Sequence, residues 1–369
     1  MKEDLGRVEI PDEHEARERA WSLVRAAFAE REPVVRPRRR WRPLLAVAAG
    51  LSLVGAALSP AGGAVLREVR ETIGIERAAP ALFSLPTQGR LLVTSDAGAW
   101  VVAGDGSKRL LGRYREASWS PFGRFVVAAR ANELAALEPG GETRWKLSRA
   151  GVRFPRWGGT RTDTRIAYLS DGRLHVVAGD GTDDRRLARL ARPVAPAWRP
   201  GPAHVLAYSR RDGLVRVVDA DRGTVLARDR AADAVQLDWV ADRRLLRTPD
   251  AVRLYDDSGR RVLTRRGRFA AAALAPRAQA LALVHLDGAV STVEVVSRRG
   301  RAQRVFTGTG RFGELAWSPD GRWLLVTWPD ADQWVFVRVR GQRRIRSASN
   351  ISAQFESSRF PSISGWCCP

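Results

Sequence analysis

Cysteine is nearly absent, with two adjacent residues, Cys367 and Cys368, in a chain of 369. A disulfide framework is thereby excluded, and no C-x-x-C or H-x-x-x-C spacing supports a zinc site. Histidine is scarce as well: His14, His175, His204 and His285 are too scattered to suggest a cluster. Lysine is confined to Lys2, Lys108 and Lys146, so the net charge of +22 is almost wholly arginine. A G-x-S-x-G nucleophile elbow is missing, which removes the simplest serine-hydrolase reading. What is present is a hydrophobic content of 44%, enough for a packed core and too much for global disorder.

The arginine excess admits two accounts. One is a polyanionic partner, such as an anionic lipid or an acidic wall polymer. The other, favoured by the even spread of arginine along the chain, is a compositional bias that writes arginine on solvated strand faces. Around the arginine-rich fourth strands, at Arg265, Arg266, Arg268, Arg298, Arg299, Arg301, Arg304, Arg343, Arg344 and Arg346, aromatic residues are not interleaved, so single-stranded nucleic acid is an unlikely partner.

One long uncharged run exists, from residue 44 to 66. At about 1.5 Å per residue it reaches roughly 34 Å, enough for a hydrocarbon core of about 30 Å. Pro60 is expected to kink this helix rather than end it. More than forty residues precede the run, too many for an ordinary cleaved signal. Arg42 and Pro43 stand where a twin-arginine signal needs apolar residues. The expectation is an uncleaved transmembrane helix over 43–66. Arg36, Arg38, Arg39, Arg40 and Arg42 crowd its N-terminal side, which places the N-terminus in the cytoplasm and the rest outside.

Ahead of the span, 1–42 is a tail with a helix expected over 11–32. Pro11, Asp12 and Glu13 suit its start, and Glu13–Arg17 and Glu15–Arg19 are favourable i,i+4 pairs. Ala20, Trp21, Val24 and Phe28 form its apolar side, a candidate face for a cytoplasmic partner. A spacer helix is the plainer alternative.

Internal repetition is the strongest signal. Val101-Val102-Ala103-Gly104-Asp105-Gly106 recurs as Val176-Val177-Ala178-Gly179-Asp180-Gly181. Glycines at 106, 141, 181, 223, 259, 300 and 341 form one column. Trp119, Trp157, Trp198, Trp239, Leu274 and Trp317 form a second with the same rhythm of about 40 residues. Each unit decodes as four antiparallel strands. Ser318-Pro319-Asp320-Gly321 and Asp171-Gly172 supply tight turns, and an arginine-bearing fourth strand follows each column glycine.

These units resemble the W-S-P-D-G repeats of TolB-like and WD-repeat β-propellers. The resemblance is close at Trp317-Ser318-Pro319-Asp320-Gly321-Arg322, good at Trp119-Ser120-Pro121-Phe122-Gly123-Arg124, and decayed at Leu274-Ala275-Pro276. It implies an all-β, seven-bladed propeller of four-stranded blades over 85–356, after a linker at 67–84. It transfers no active site. The strand that completes the first blade is expected at Ile351-Ser352-Ala353-Gln354-Phe355, 38 residues past Trp317 for Phe355. That leaves 357–369 as a tail, in which Cys367 and Cys368 are expected as a vicinal disulfide, a dimer link or an incidental pair.

Other motifs carry little. Gly308-Thr309-Gly310-Arg311-Phe312-Gly313 matches a dinucleotide pattern but no helix follows it. Asp180-Gly181-Thr182-Asp183-Asp184 lacks calcium-loop spacing. Asn350-Ile351-Ser352 is a bare glycosylation sequon. No metal, cofactor or catalytic residue is expected. The expected function is therefore a non-enzymatic binding, scaffold or sensing module, held extracytoplasmically at the plasma membrane. Its partner is an unidentified protein or an anionic surface met by Arg298, Arg299, Arg301 and Arg304. The alternatives are a transmembrane regulator whose tail binds a cytoplasmic protein such as a sigma factor, and a propeller hydrolase or lyase.

Overall fold

The second and third strands of each unit are apolar almost without interruption, as in Leu91-Leu92-Val93 and Val126-Val127-Ala128-Ala129. Such strands need cover on both faces. The computed structural model, which describes residues 84–368 apart from residue 232, plus the strand Ile75–Glu76, shows what covers them. Seven four-stranded antiparallel sheets form a ring, with Ile75–Glu76 added in parallel at the outer edge of the seventh. The innermost strands are Ser362–Cys367, Glu116–Trp119, Val152–Gly159, Ala197–Trp198, Gln236–Val240, Phe269–Leu274 and Leu315–Trp317. They touch one another in cyclic order. The chain is a seven-bladed β-propeller.

Among the described residues, each of the seven blade junctions has its own apolar cluster. Alternation along a strand decides which junction a residue serves. Val126 and Ala128 pack toward blade one, whereas Val127 and Ala129 pack toward blade three. A one-residue slip would exchange these sets, so register is tightly specified.

The turns follow their residues. Asp171 and Gly172 both take positive φ, as a two-residue hairpin requires. At Trp317-Ser318-Pro319-Asp320-Gly321 the Ser318 hydroxyl accepts the Trp323 N–H at 2.9 Å, and Gly321 N–H returns to Ser318 O at 2.9 Å. Ser120 repeats this with Phe125 N–H at 2.8 Å. The decayed copy at Leu274 keeps the shape without the hydroxyl, and Ala278 takes the left-handed position at φ 50°.

Neighbouring blades are also stapled across their outer strands. Arg109 donates to Gly140 O (3.0 Å), Trp145 to Gly179 O (2.9 Å), Arg185 to Ala220 O (2.7 Å) and Arg265 to Gly300 O (3.0 Å). Each donor sits on a fourth strand and each acceptor on the next blade's third-to-fourth turn. Part of the arginine excess thus works inside the structure. The junction of blades four and five uses a buried pair instead: Arg244 meets Asp229 at 2.6 Å and lies 4.5 Å from the centre of the Tyr255 ring.

Closure differs from the sequence expectation. Ile351–Gln354 is one turn of helix, not a strand. Phe355 plugs the junction of blades seven and one between Trp100 and Trp334. The closing strand is Ser362–Cys367, which pairs Trp366 with Leu91 and Cys367 with Arg90. Residues 357–369 are therefore not a tail outside the ring, and the propeller does not end at 356. The reason is an excursion at 350–361, pinned by Asp96, which accepts from Ser358 and Arg359 at 2.7 and 2.6 Å.

Blades two and three share a further network. Asp184 accepts from Tyr168 Oη at 2.6 Å and from Arg149 Nε at 2.8 Å, with His175 Nδ1 at 3.7 Å. Burial pushes its carboxyl up, but the neighbouring His175 and the hydrogen bonds from Tyr168 and Arg149 prevail and bring it from 3.8 to about 2. A carboxyl depressed on folding stabilises above its unfolded pKa and loses that contribution as pH falls through the folded value. Asp184→Ala is expected to lower stability at pH 7 by about 2 kcal/mol or more. It should also flatten the loss of stability between pH 4 and pH 2. Urea midpoints across that range check this; parallel wild-type and variant curves would contradict the assignment.

Candidate functional site

On the inner strands, the residue at the column position packs into a blade junction. Trp119, Trp157, Trp198, Trp239, Leu274 and Trp317 are all buried there. Trp366 occupies the corresponding place in blade one and completes the set, 49 residues past Trp317. Residues one and three positions earlier fall on the opposite strand face, toward the axis. Those positions hold Glu116, Arg156, Asp238 and Glu314, from blades two, three, five and seven. Burial pulls the Arg156 guanidinium down, opposed by Glu116, Asp238 and Glu314. Burial likewise raises Asp238, against the Trp239 N–H and Arg156, and raises Glu314, against Ile363, Ser362 and Arg156. Glu314 is open to solvent within the ring yet walled by strands, and its carboxylate accepts the Ile363 N–H of the closing strand.

A second concentration of chemistry lies between blades two and three, among the turns that follow their first and third strands. It is a cavity of about 360 Å³. Phe125, Trp145 and Trp157 give it an aromatic lining, with Phe125 stacked on Trp157 at 5.9 Å and 15°. The fourth strand of blade two carries Trp145 across to Gly181, whose added Cβ would stand 2.8 Å from the indole. Arg124, Arg144 and Arg161 line the same cavity. Arg144 is paired with Glu138 at 3.4 Å. Arg124 lies 5.2 Å from the Phe125 ring centre and Arg161 4.5 Å from that of Phe122. Asp180 is the lone acid of the lining; the Thr182 hydroxyl and N–H hold its carboxyl below the usual range. The turn that began as a calcium candidate is thus a self-satisfied polar turn.

The arginines singled out from sequence lie on blade six. Arg298 is engaged by Asp242 at 2.8 Å, while Arg299, Arg301 and Arg304 are exposed. Ala20, Trp21, Val24 and Phe28 lie outside the described residues. Cys367 and Cys368 are joined as a vicinal disulfide against the blade-two turn, where a Cβ on Gly123 would come within 2.9 Å of both sulfurs. Among the described residues no group of three His, Cys, Asp or Glu side chains is placed to hold a metal. Sequence reasoning missed the axial charges and the aromatic cavity. The axial set was signalled by charged residues at odd offsets before the tryptophan column. The cavity had no local signal, because its residues come from seven separate turns and strands.

The comparisons define a fold class. A chain in the crystal structure of a mitotic checkpoint complex matches with TM-score 0.53 and 16% identity, over 72% of this chain and 93% of that one. The β-propeller domain of Cps50 (Swd1) from Myceliophteria thermophila matches with TM-score 0.52 and 14% identity, over 69% and 94%. At these identities the likeness is one of fold. No family model and no curated protein matches the chain.

Proposed function

We propose that this chain is a membrane-anchored, extracytoplasmic β-propeller that works as a non-enzymatic binding module. The observation that carries the reading is the cavity between blades two and three, a preformed concave site on a closed, rigid ring. The uncharged run at 44–66 and the arginines before it supply anchor and orientation. A protein partner fits this picture, since one fold neighbour was solved within a protein complex.

One observation favours the hydrolase or lyase alternative: Asp238 and Glu314, raised by burial near the axis, have the character of general acids. No histidine is among the charged groups acting on Arg156. Binding is the better-supported reading. Reporter fusions at each end test the anchored topology. An N-terminal reporter is expected to be active only in the cytoplasm and a C-terminal one only outside it. The reverse pattern, or a soluble product starting near Pro60, would overturn the anchor.

A further inference from the structure

We propose that the cavity between blades two and three binds a small acid built on a flat-faced ring. This deepens the binding reading and is independent of the membrane topology.

Shape and charge together select the ligand. The lining offers three aromatic rings, two of them already stacked, so a flat ring face gains contact at little cost in ordering. The cavity, at about 360 Å³, lies at the small end of ligand pockets, which suits one ring rather than a folded chain. At its margin Arg124 and Arg161 have no carboxylate partner among the described residues, and each guanidinium rests near an aromatic ring. A guanidinium held by a ring face is pre-oriented, and its fork of N–H donors matches a carboxylate. The Trp157 indole completes the aromatic wall; its buried N–H, like those of Trp119, Trp239 and Trp366, has no acceptor among the described residues and singles out no ligand.

Two sources share this chemistry: an aromatic carboxylic acid and a uronic sugar, whose ring also has an apolar face. Calorimetric titration of the full detergent-solubilised chain separates them, using indole-3-acetate, D-glucuronate and uncharged indole as probes. One of the two acids is expected to bind at least tenfold more tightly than indole. That affinity should weaken as salt rises from about 0.05 to 0.5 M. Indole-3-acetate as the tighter acid assigns an aromatic acid; glucuronate as the tighter assigns a sugar acid. Arg124→Gln and Arg161→Gln should each weaken it about tenfold, the loss of one charged hydrogen bond. Trp145→Leu should remove it, with the melting midpoint recorded to separate lost binding from lost fold. Equal binding of indole and the acids, no binding of either acid, or arginine variants that bind as well as wild type would overturn the proposal. A correct reporter topology beside such a failure would leave the anchored module standing and the ligand assignment wrong.

Discussion

Truncation after residue 361 is expected to unfold the whole propeller, not to fray one end. The deletion removes the strand Ser362–Cys367 and with it the innermost strand of blade one. It exposes the apolar cluster at the junction of blades seven and one, where Trp366 meets Phe336 edge-on at 5.7 Å. It also strips Glu314 of the Ile363 N–H that its carboxylate accepts. Loss of one buried tryptophan costs about 3–5 kcal/mol, comparable with a large part of a domain's net stability of about 5–15 kcal/mol. The backbone pairing of Arg90–Thr94 with the deleted strand is lost in addition. Scanning calorimetry of the full chain should show one cooperative transition, and the truncated chain should show none or a much weaker one. Trp366→Ala alone should keep the transition and lower stability by about 3–5 kcal/mol. A truncated protein that melts as wild type does would remove this strand from the ring.

The second large effect is expected at the junction of blades four and five. Arg244 is 1% exposed, and its guanidinium is held by Asp229 and the rings of Tyr255 and Trp239. Removing one partner of a buried pair strands the other charge, at a cost of about 3–5 kcal/mol. Asp229 keeps some solvent contact, so Asp229→Ala should fall near the lower end of that range. Exchanging both residues for apolar ones of similar volume, Arg244→Met with Asp229→Leu, should recover most of the loss. Urea denaturation of the two variants checks this. A double variant no more stable than the single one would mean that the pair itself, rather than the stranded charge, carries the energy.

Much of the ring was legible because each blade repeats the same local physics. The column glycines all take positive φ, from 72° to 96°, so their spacing marked the same turn seven times. The tryptophan column marked the same inner-strand exit, and even Leu274 kept its place without its turn hydroxyl. Closure was misread because the last interval breaks the rhythm. Residues 350–361 leave the sheet and cover the junction, and Phe355 fills it as a core residue. An apolar residue 38 positions past Trp317 therefore mimicked a strand end, while the true one, Trp366, came 49 positions on. The Trp-Cys-Cys-Pro sequence carried the missing signal, since Cys367 stands where Ser120 and Ser318 follow their tryptophans. The cavity was illegible for a different reason. Arg124, Trp145, Trp157 and Arg161 are brought together by blade packing, which no single repeat encodes.

Native-state hydrogen exchange of the full chain tests the closed ring most directly. If Ser362–Cys367 completes blade one, the amides of Leu92 and Cys367, at the alternate pairs whose N–H groups face the partner strand, should exchange with the slowest class in the protein, through global unfolding alone. The account is contradicted if the Cys367 and Leu92 amides exchange as fast as those of exposed turns while Leu91 and Val93, whose N–H groups face Ala99–Val102, stay protected.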